Sequence, residues 1–295
     1  GFAVSQGLQT AVGDPRLGGD PYQMALASID ECVRNLVCVG ADPSRIAILD
    51  NFCWPSCGKA ENLGSLVRAA EGCYDGAKAY GTPFVSGKDS LNNQLKYTDP
   101  ATGKERVIEI PPTLLISGMG IVPDVGRAMT MDAKKAGNVL LLVGRTTDEL
   151  GGSHLQRIGG CGESRVPRTD LKQGPAAARG VAAAVRQGLV ASAHDVSEGG
   201  LLAAVAEMLI AAGERLGADL DLSQVHADAM VAAFSESPSR YVLEVAAGNV
   251  ERVMQALGVP AVRIGVVNES GRLRCAGMDV TVAEMARAWL GTLDW

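Results

Sequence analysis

The sequence has few aromatic side chains, no long apolar run and no region of strong net charge, and each shortage excludes a class of protein. Aromatic residues make up 4% of the 295 residues, against 47% hydrophobic residues, so the core is predicted to be aliphatic. The apolar runs at residues 139–143 and 201–206 are much shorter than a membrane span, which takes about 20 residues. Basic side chains are not concentrated either: residues 1–123 carry 10 basic and 13 acidic side chains, and residues 124–295 carry 17 and 20. We therefore expect neither a membrane nor a nucleic acid as partner.

The seven cysteines are an odd number and lie mostly in apolar segments, which favours a reducing cytoplasm. Cys53 and Cys57 could form half of a metal site, but no second pair follows at zinc-finger spacing, so a structural metal is not expected. The chain opens at Gly1 inside a strand-like segment, without a signal peptide. We interpret it as a fragment or a processed product.

Apolar periodicity predicts helices alternating with strands along the whole chain. The clearest helix has Asp20 as its N-cap and Pro21 at its first position, and it stops before Gly40. In the helix predicted at residues 61–80, the apolar residues share one side; these are Leu63, Leu66, Val67, Ala70 and Tyr74. Further helices are predicted at residues 175–187, 201–212, 250–257 and 281–290, and strands at 45–49, 83–85, 113–122, 138–144, 189–193, 218–222, 240–245 and 261–267. The predicted architecture is α+β, a mixed α/β fold in two domains, residues 1–123 and 124–295.

Residues 84–93 carry the strongest local signal for ligand binding. An apolar strand ends there in Gly87, which lets backbone amides approach a ligand, and Asp89 offers the oxygen that magnesium prefers. The segment is not a Walker A loop, because five residues separate Gly81 from Gly87 and Asp89, not Ser or Thr, follows Lys88. The alternative interpretation is a surface turn with a Lys-Asp pair.

A second carboxylate is predicted beside this segment. Asp50 and Asp89 each follow a short apolar strand, and the helix between them would bring the strand ends together on one rim of a sheet. Two or three acidic residues suffice for a nucleotide-magnesium complex, because phosphates and waters complete the octahedron. The alternative is that Asp50 only turns the chain into Asn51-Phe52.

Separated blocks spread over nearly the whole chain resemble the second half of formylglycinamide ribonucleotide amidotransferase, the synthetase of phosphoribosylformylglycinamidine synthesis in purine biosynthesis. Ten or so blocks in order are more specific than any single loop. They include GDPYQM at 19–24, NLVCVGADP at 35–43, ILDNFCW at 48–54, RAAEGCY at 68–74, GTPFVSGKDSLNN at 81–93, PPTLLISGMGIVP at 111–123, LGGSH at 150–154, HDVSEGGL at 194–201 and FSESPSR at 234–240.

The resemblance implies an aminoimidazole-ribonucleotide-synthetase-like N-terminal domain followed by its C-terminal α/β domain. Members use ATP and Mg²⁺ to phosphorylate the formamide oxygen of formylglycinamide ribonucleotide, after which ammonia from a glutaminase subunit displaces the phosphate. The N-terminal domain pairs with another copy of itself. For this chain, the partner implied is the missing N-terminal half of the synthetase or a second copy, docked on an exposed apolar surface.

The resemblance also implies roles for single residues. Asp50 matches a residue that contacts ATP, Gly87 a backbone contact to the nucleotide, Asp89 a magnesium ligand and Ser90 a contact to the substrate phosphate. Lys88 departs from many small synthetases, which carry Asn there as a metal ligand. Whether position 88 or position 89 faces the metal is left open.

No catalytic residue is predicted in this chain, because the family's catalytic histidines lie in the first half. His194 beside Asp195 is interpreted as a structural histidine. Several residues match positions whose first-half counterparts touch metal and substrate, and we do not assign them to the site; they are Asp195, Glu198, Glu236 and Ser237. Glu163 and Arg165 receive no role.

Three hypotheses follow. The first is a unit of the ATP-dependent amidotransferase that is inactive on its own, and the second is a catalytically inert, nucleotide-stabilised scaffold. The third is another enzyme of the superfamily, such as aminoimidazole ribonucleotide synthetase or a selenophosphate or thiamine-phosphate kinase relative. Those enzymes carry a glycine- and aspartate-rich N-terminal arm that this sequence does not show.

Overall fold

The computed structural model describes residues 1–293, and the first half of the chain forms one sheet, a hairpin and two long helices. The sheet has strand order β1-β6-β2-β3, and β4 pairs with β5 in a separate hairpin. The bounds are β1 Phe2–Leu8, α1 Pro21–Cys38, β2 Ile46–Cys53, α2 Ala60–Tyr80, β3 Phe84–Ser90, β4 Gln94–Thr98, β5 Glu105–Glu109 and β6 Thr113–Ile121.

The second half forms a seven-stranded sheet in the order β13-β12-β9-β11-β7-β10-β8. Its elements are β7 Val139–Val143, α3 His154–Arg157, α4 Gln173–Arg186, β8 Ser192–Asp195, α5 Gly200–Ala212, β9 Gly217–Leu220, α6 Ala229–Phe234, β10 Tyr241–Val245, α7 Val250–Leu257, β11 Ala261–Asn268, β12 Arg272–Cys275, β13 Met278–Thr281 and α8 Val282–Leu290. The predicted mixed α/β fold is confirmed.

Helix α1 packs tightly on the first sheet because glycines remove side chains where the two meet. A Cβ on Gly118 of β6 would lie 2.6 Å from the Cys32 sulfur, and one on Gly7 of β1 would lie 1.9 Å from the Ser28 carbonyl oxygen. The Ser5 hydroxyl donates to the Cys32 carbonyl oxygen at 2.7 Å across the same contact. One face of the sheet is therefore covered by the helices, and the other is left open.

The second sheet is covered on both faces, and its central strand shows why. Every residue of β7 is buried, and its side chains alternate between two apolar clusters. Leu141 packs in the cluster that contains α4 and α7, whereas Leu140 and Leu142 pack against α5. This is a layered arrangement of helix, sheet and helix.

The apolar core continues from the first sheet into the second. Leu36 of α1, Ile48 of β2, Val181 of α4 and Leu243 of β10 belong to one buried cluster. The boundary predicted after residue 123 remains a prediction, and it falls between β6 and β7. Within residues 1–293, no helix has both the length and the apolar character needed to cross a membrane.

A buried group of charges joins the two halves. The Asp30 carboxylate of α1 accepts hydrogen bonds from Tyr80 at the end of α2, from Arg34, and from the Ser239 backbone N–H (2.8 Å) and hydroxyl (2.6 Å). Arg34 also donates to the Ser197 hydroxyl at 2.8 Å. Asp30 and Arg34 are almost fully buried. The opposite charge of each residue therefore offsets the free-energy cost of burying the other.

The apolar side predicted for α2 does not face the core. Leu63, Val67 and Tyr74 are 48%, 52% and 63% exposed, while Gly72 and Gly76 face α1. A Cβ on Gly76 would lie 2.7 Å from Ile29, so small residues were needed for helix contact. The amphipathic pattern therefore predicts the helix correctly but does not show which of its sides is buried.

Replacing Asp30 by Asn should lower the free energy of unfolding by about 3 kcal/mol, because Arg34 would keep a buried charge without its main partner. Urea unfolding monitored by circular dichroism measures the change. Asp279→Asn is the control, since Asp279 is half-exposed and its pairs with Arg272 and Arg274 lie at the surface, where such pairs are worth under about 1 kcal/mol. Equal loss in both variants would contradict the assignment.

Candidate functional site

The candidate site is built by two parallel strands at the edge of the first sheet. Strand β3 pairs with β2 so that Asp50 stands beside Gly87, Asn51 beside Lys88 and Phe52 beside Asp89. Because side chains of a strand alternate between faces, Asp50 and Asp89 share the helix side of the sheet. The structure thus brings the two predicted carboxylates and Gly87 together.

Gly87 is required by the position of Asp50. A Cβ at position 87 would lie 2.4 Å from Asp50 Oδ1 and 2.8 Å from Oδ2, closer than carbon and oxygen can approach. The backbone N–H of Lys88 donates to the same carboxylate. Gly87 therefore leaves the space that Asp50 occupies, and its own backbone remains exposed.

The sequence pattern predicted that the strands before Asp50 and Asp89 end earlier than they do in the structure. Asp50 and Asp89 do not follow their strands but lie inside β2 and β3, which run to Cys53 and Ser90. Continued pairing with β6 and with each other extends both strands through the polar residues. The interpretation of Asp50 as a turn residue is wrong, and so is that of residues 86–90 as a surface turn.

The Asp50 carboxyl is affected by burial and by its neighbours. Burial and the negative charge of Asp89 raise the pKa of the Asp50 carboxyl, against hydrogen bonds from the backbone N–H groups of Asp50 and Lys88. Burial and the charge of Asp50 also raise the pKa of the Cys73 thiol to about 12, which places α2 beside this group. A divalent cation between the two carboxylates would relieve their repulsion.

The donor set fits a magnesium-nucleotide complex better than a protein-enclosed metal. In the part of the chain that the structure describes, no three His, Cys, Asp or Glu side chains are grouped to hold a metal. Asp50 and Asp89 offer hard oxygens on an open strand, which leaves coordination positions for phosphates and waters.

Lys88 and Ser90 lie on the opposite face of β3. The Lys88 ammonium donates to the Ser90 hydroxyl, as expected for two residues of a strand that share a side. The cross-strand neighbours on this face include Asn51 beside Lys88 and Cys53 beside Ser90. The predicted site residues on β2 and β3 are therefore divided between the two faces of the sheet.

The same open face carries exposed apolar side chains on β1, β6 and β2. Phe2 and Val4 of β1 are 66% and 64% exposed, and Met119 of β6, which stands beside Val4, is 50% exposed. Leu49 of β2 is also exposed. These four residues form the open apolar face, which has the character of a protein contact.

His194 lies apart from this site, at the end of β8. Its Nε2 is 3.2 Å from a Glu207 oxygen, and its Nδ1 is 3.4 Å from an Asp195 oxygen. Burial opposes a charged imidazole, yet the hydrogen bonds to Asp195 and Glu207 outweigh it and raise the pKa of His194 to about 10. A histidine held between two carboxylates supports the structural interpretation.

The structure groups further polar residues at the junction of the two halves. The resemblance matched Glu198, Glu236 and Ser237 without assigning them to the site, and Glu31 was not predicted. Burial and the charge of Glu198 raise the pKa of Glu31 to about 7, and Glu236 accepts hydrogen bonds from the backbone N–H groups of His154 and Gly199, each at 2.8 Å. The sequence signal that could have revealed the buried charges is an acidic and a basic residue four positions apart, Asp30 and Arg34, within an apolar helix.

The remaining residues that the resemblance left without a role lie elsewhere. Ser237 forms hydrogen bonds with Thr147 and Glu149, and Glu163 and Arg165 line an open cavity beside Leu17.

Comparison with protein families gives two matches that together span most of the chain. Residues 5–104 match the N-terminal domain, and residues 135–277 the C-terminal domain, of the family described as AIR synthase related protein.

The curated relatives include phosphoribosylformylglycinamidine synthase subunit PurL of Corynebacterium ammoniagenes, 35% identical over 280 residues, which covers 93% of this chain and 35% of that protein. PurL of Deinococcus radiodurans is 34% identical, over 92% of this chain and 37% of that protein. The resemblance found in the sequence is confirmed, and the chain spans about a third of the length of these relatives.

Solved structures share the fold. PurL of Thermotoga maritima complexed with FGAR superposes with a TM-score of 0.75 at 20% identity, over 97% of this chain and 46% of that one. Hydrogenase maturation protein HypE of Escherichia coli gives a TM-score of 0.67 at 20% identity, over 95% and 85%.

Replacing Gly87 by Ala should displace the Asp50 carboxylate and lower the free energy of unfolding by about 1 kcal/mol, because the new methyl group overlaps it. Chemical denaturation measures the change. Gly64→Ala is the matched control: it lies on an exposed part of α2 with nothing within 4 Å, and should stabilise the helix by about 0.5–1 kcal/mol. A stable Gly87→Ala variant with unchanged Asp50 titration would contradict the contact.

The His194 cluster should make stability fall in alkali. Because the folded state raises the pKa of His194 to about 10 from 6.5, its contribution is fully present below pH 6.5 and is lost as pH rises through 10. The expected slope inside this window is about 1.4 kcal/mol per pH unit. Urea denaturation from pH 6 to 10 should show the slope in the wild type and in the exposed-site control His154→Gln, and lose it in His194→Gln.

Proposed function

The chain belongs to the AIR synthase related protein family, and from that premise we propose that it is the second synthetase unit of a phosphoribosylformylglycinamidine synthase. The whole enzyme would use ATP and Mg²⁺ to convert formylglycinamide ribonucleotide into the amidine in cytoplasmic purine biosynthesis. This chain would supply one wall of the site, and another polypeptide segment would supply the catalytic histidines.

The observation that carries the proposal is the grouping of Asp50, Gly87 and Asp89. Asp89 would ligate the magnesium, Asp50 would contact the nucleotide, and the open backbone at Gly87 would let a phosphate approach. The metal would neutralise the charge that develops on the transferred phosphoryl group. The carboxylates are held by strand pairing, so they would be in place before the ligand arrives.

Ser90 would contact the phosphate of the ribonucleotide from the other face of β3. The substrate would then lie beyond the edge strand β3, where it can meet the nucleotide bound on the other face. Phosphorylation of the formamide oxygen would make it a leaving group, and ammonia from a glutaminase subunit would replace it.

The open apolar face fits the partner that this function requires. Its residues Phe2, Val4, Leu49 and Met119 are exposed, so no element within residues 1–293 covers them. The missing N-terminal half of the synthetase would cover it, and a second copy of the chain would do so when that half is absent. The other wall of the nucleotide site would come with this partner.

The test uses the chain combined with the polypeptide that supplies the first half, with ATP, Mg²⁺ and ammonium chloride as the amine source. Asp89→Ala should reduce ATP-dependent amidine formation by orders of magnitude while the circular dichroism spectrum stays unchanged, because the metal loses a ligand. Glu105→Ala, an exposed acidic residue of β5, is the control and should retain full activity.

Wild-type activity in Asp89→Ala would remove Asp89 from the site. A combination that binds ATP but forms no amidine under any condition would favour the inert scaffold. The chain on its own should form no amidine, and turnover by it alone would contradict the need for a second wall.

A further inference from the structure

The hairpin of β4 and β5 projects from the first half of the chain with an uncovered apolar side. Almost every residue of both strands is exposed. Leu95 and Tyr97 share one side of β4, and Ile108 stands opposite Leu95 on β5. These three residues form the apolar hairpin side; they are 58%, 41% and 56% exposed, so no element within residues 1–293 covers them. Because a two-stranded hairpin is only marginally stable alone, it gains from a partner on this side.

The other side of the hairpin is directed toward the helices. Glu109 of β5 lies on it and accepts a hydrogen bond at 2.5 Å from Lys59, the N-cap residue of α2. Since α2 lies on the helix side of the first sheet, the apolar hairpin side is turned toward the side that the helices leave open. It therefore points in the same direction as the open apolar face.

The exposed apolar area is sufficient for a stable dimer only if both surfaces take part. A half-exposed large side chain offers roughly 100 Å² to a partner. A symmetric contact through the open apolar face alone would bury about 800 Å² over two copies, which is no more than a crystal-packing contact buries. Adding the apolar hairpin side raises this area to about 1,400 Å², within the range of about 1,200–2,000 Å² for stable interfaces.

The charges of the hairpin do not oppose the approach of an identical chain. Residues 94–109 carry three basic and three acidic side chains, so two hairpins do not repel each other. Arg106 stands opposite Tyr97 and borders the apolar hairpin side, and its guanidinium Nε lies 3.6 Å from a carboxylate oxygen of Asp99. The charge nearest to the apolar residues is thus compensated within the hairpin itself.

We infer that the apolar hairpin side packs against a second copy of this chain bound on the open apolar face, and that the second copy makes the same contact in return. The inference rests on the proposed function, in which a second copy takes the place of the missing half. The sheet faces form the centre of the contact, and the hairpins add area at its rim. Because both chains contribute the same surface, the contact closes as a dimer and does not extend into a filament.

The test measures the dimer dissociation constant of the 295-residue chain by sedimentation equilibrium over a range of concentrations. Ile108→Lys should raise this constant at least tenfold, because the contact would then bury an ammonium group without a partner. Val107→Lys is the matched control and should leave the constant within twofold, since Val107 is the preceding residue, 50% exposed, on the opposite side of the same strand. Val4→Lys, on the open apolar face, should weaken the dimer as Ile108→Lys does.

Urea unfolding below the dimer dissociation constant should give the same midpoint for wild type and all variants, because each substituted side chain is exposed. Equal weakening by both hairpin variants, or weakening by Val4→Lys alone, would overturn the inference. A wild-type chain that stays monomeric at every concentration would overturn it too. None of these results touches the proposed function, which is contradicted only if the combined enzyme forms no amidine.

Discussion

The buried carboxylate of Asp30 is the constraint on which the rest of this structure depends. It holds Arg34 on its own helix, Tyr80 at the end of α2 and Ser239 in the loop that leads into β10, so three separate segments meet at one charge. Burying charges costs free energy unless every partner is in place, so these segments must assemble together. The adjoining apolar cluster runs through both sheets, so its packing also requires these segments to assemble together.

Through Tyr80, this constraint also acts on β3, the strand that carries most of the candidate site. Because Tyr80 ends α2 and β3 begins four residues later, the buried contact of Tyr80 limits where β3 can start along β2. The resulting parallel register sets Gly87 beneath Asp50 and Lys88 beside Asn51. A shift by one residue would exchange the faces of Lys88 and Asp89 and would move Asp89 away from the side that Asp50 occupies.

The two surfaces left open have different physical characters. The open apolar face lies on the uncovered side of the four-stranded sheet, and it adjoins the polar side chains of Lys88 and Ser90 on the same side. The apolar side of α2 is instead a narrow stripe on one helix. The relatives are about three times as long as this chain. Exposed apolar surface of this kind has the character of a protein contact.

The sequence by itself determined the order and type of the principal elements, because capping signals such as Asp20-Pro21 and buried runs such as residues 139–143 act locally. It also determined the family, through many separated blocks, and singled out Asp50, Gly87 and Asp89. Only the tertiary structure decided that β2 and β3 continue through these residues, that α2 turns its apolar side outward, and that Asp30 and Arg34 are buried. Each of those outcomes depends on a partner distant in sequence: strand pairing extends β3, glycines of α2 meet α1, and Ser239 reaches Asp30 across 209 positions. The division of the candidate site between two faces of the sheet has the same cause. Side chains alternate along β3, but only the pairing with β2 decides which of them face the helices.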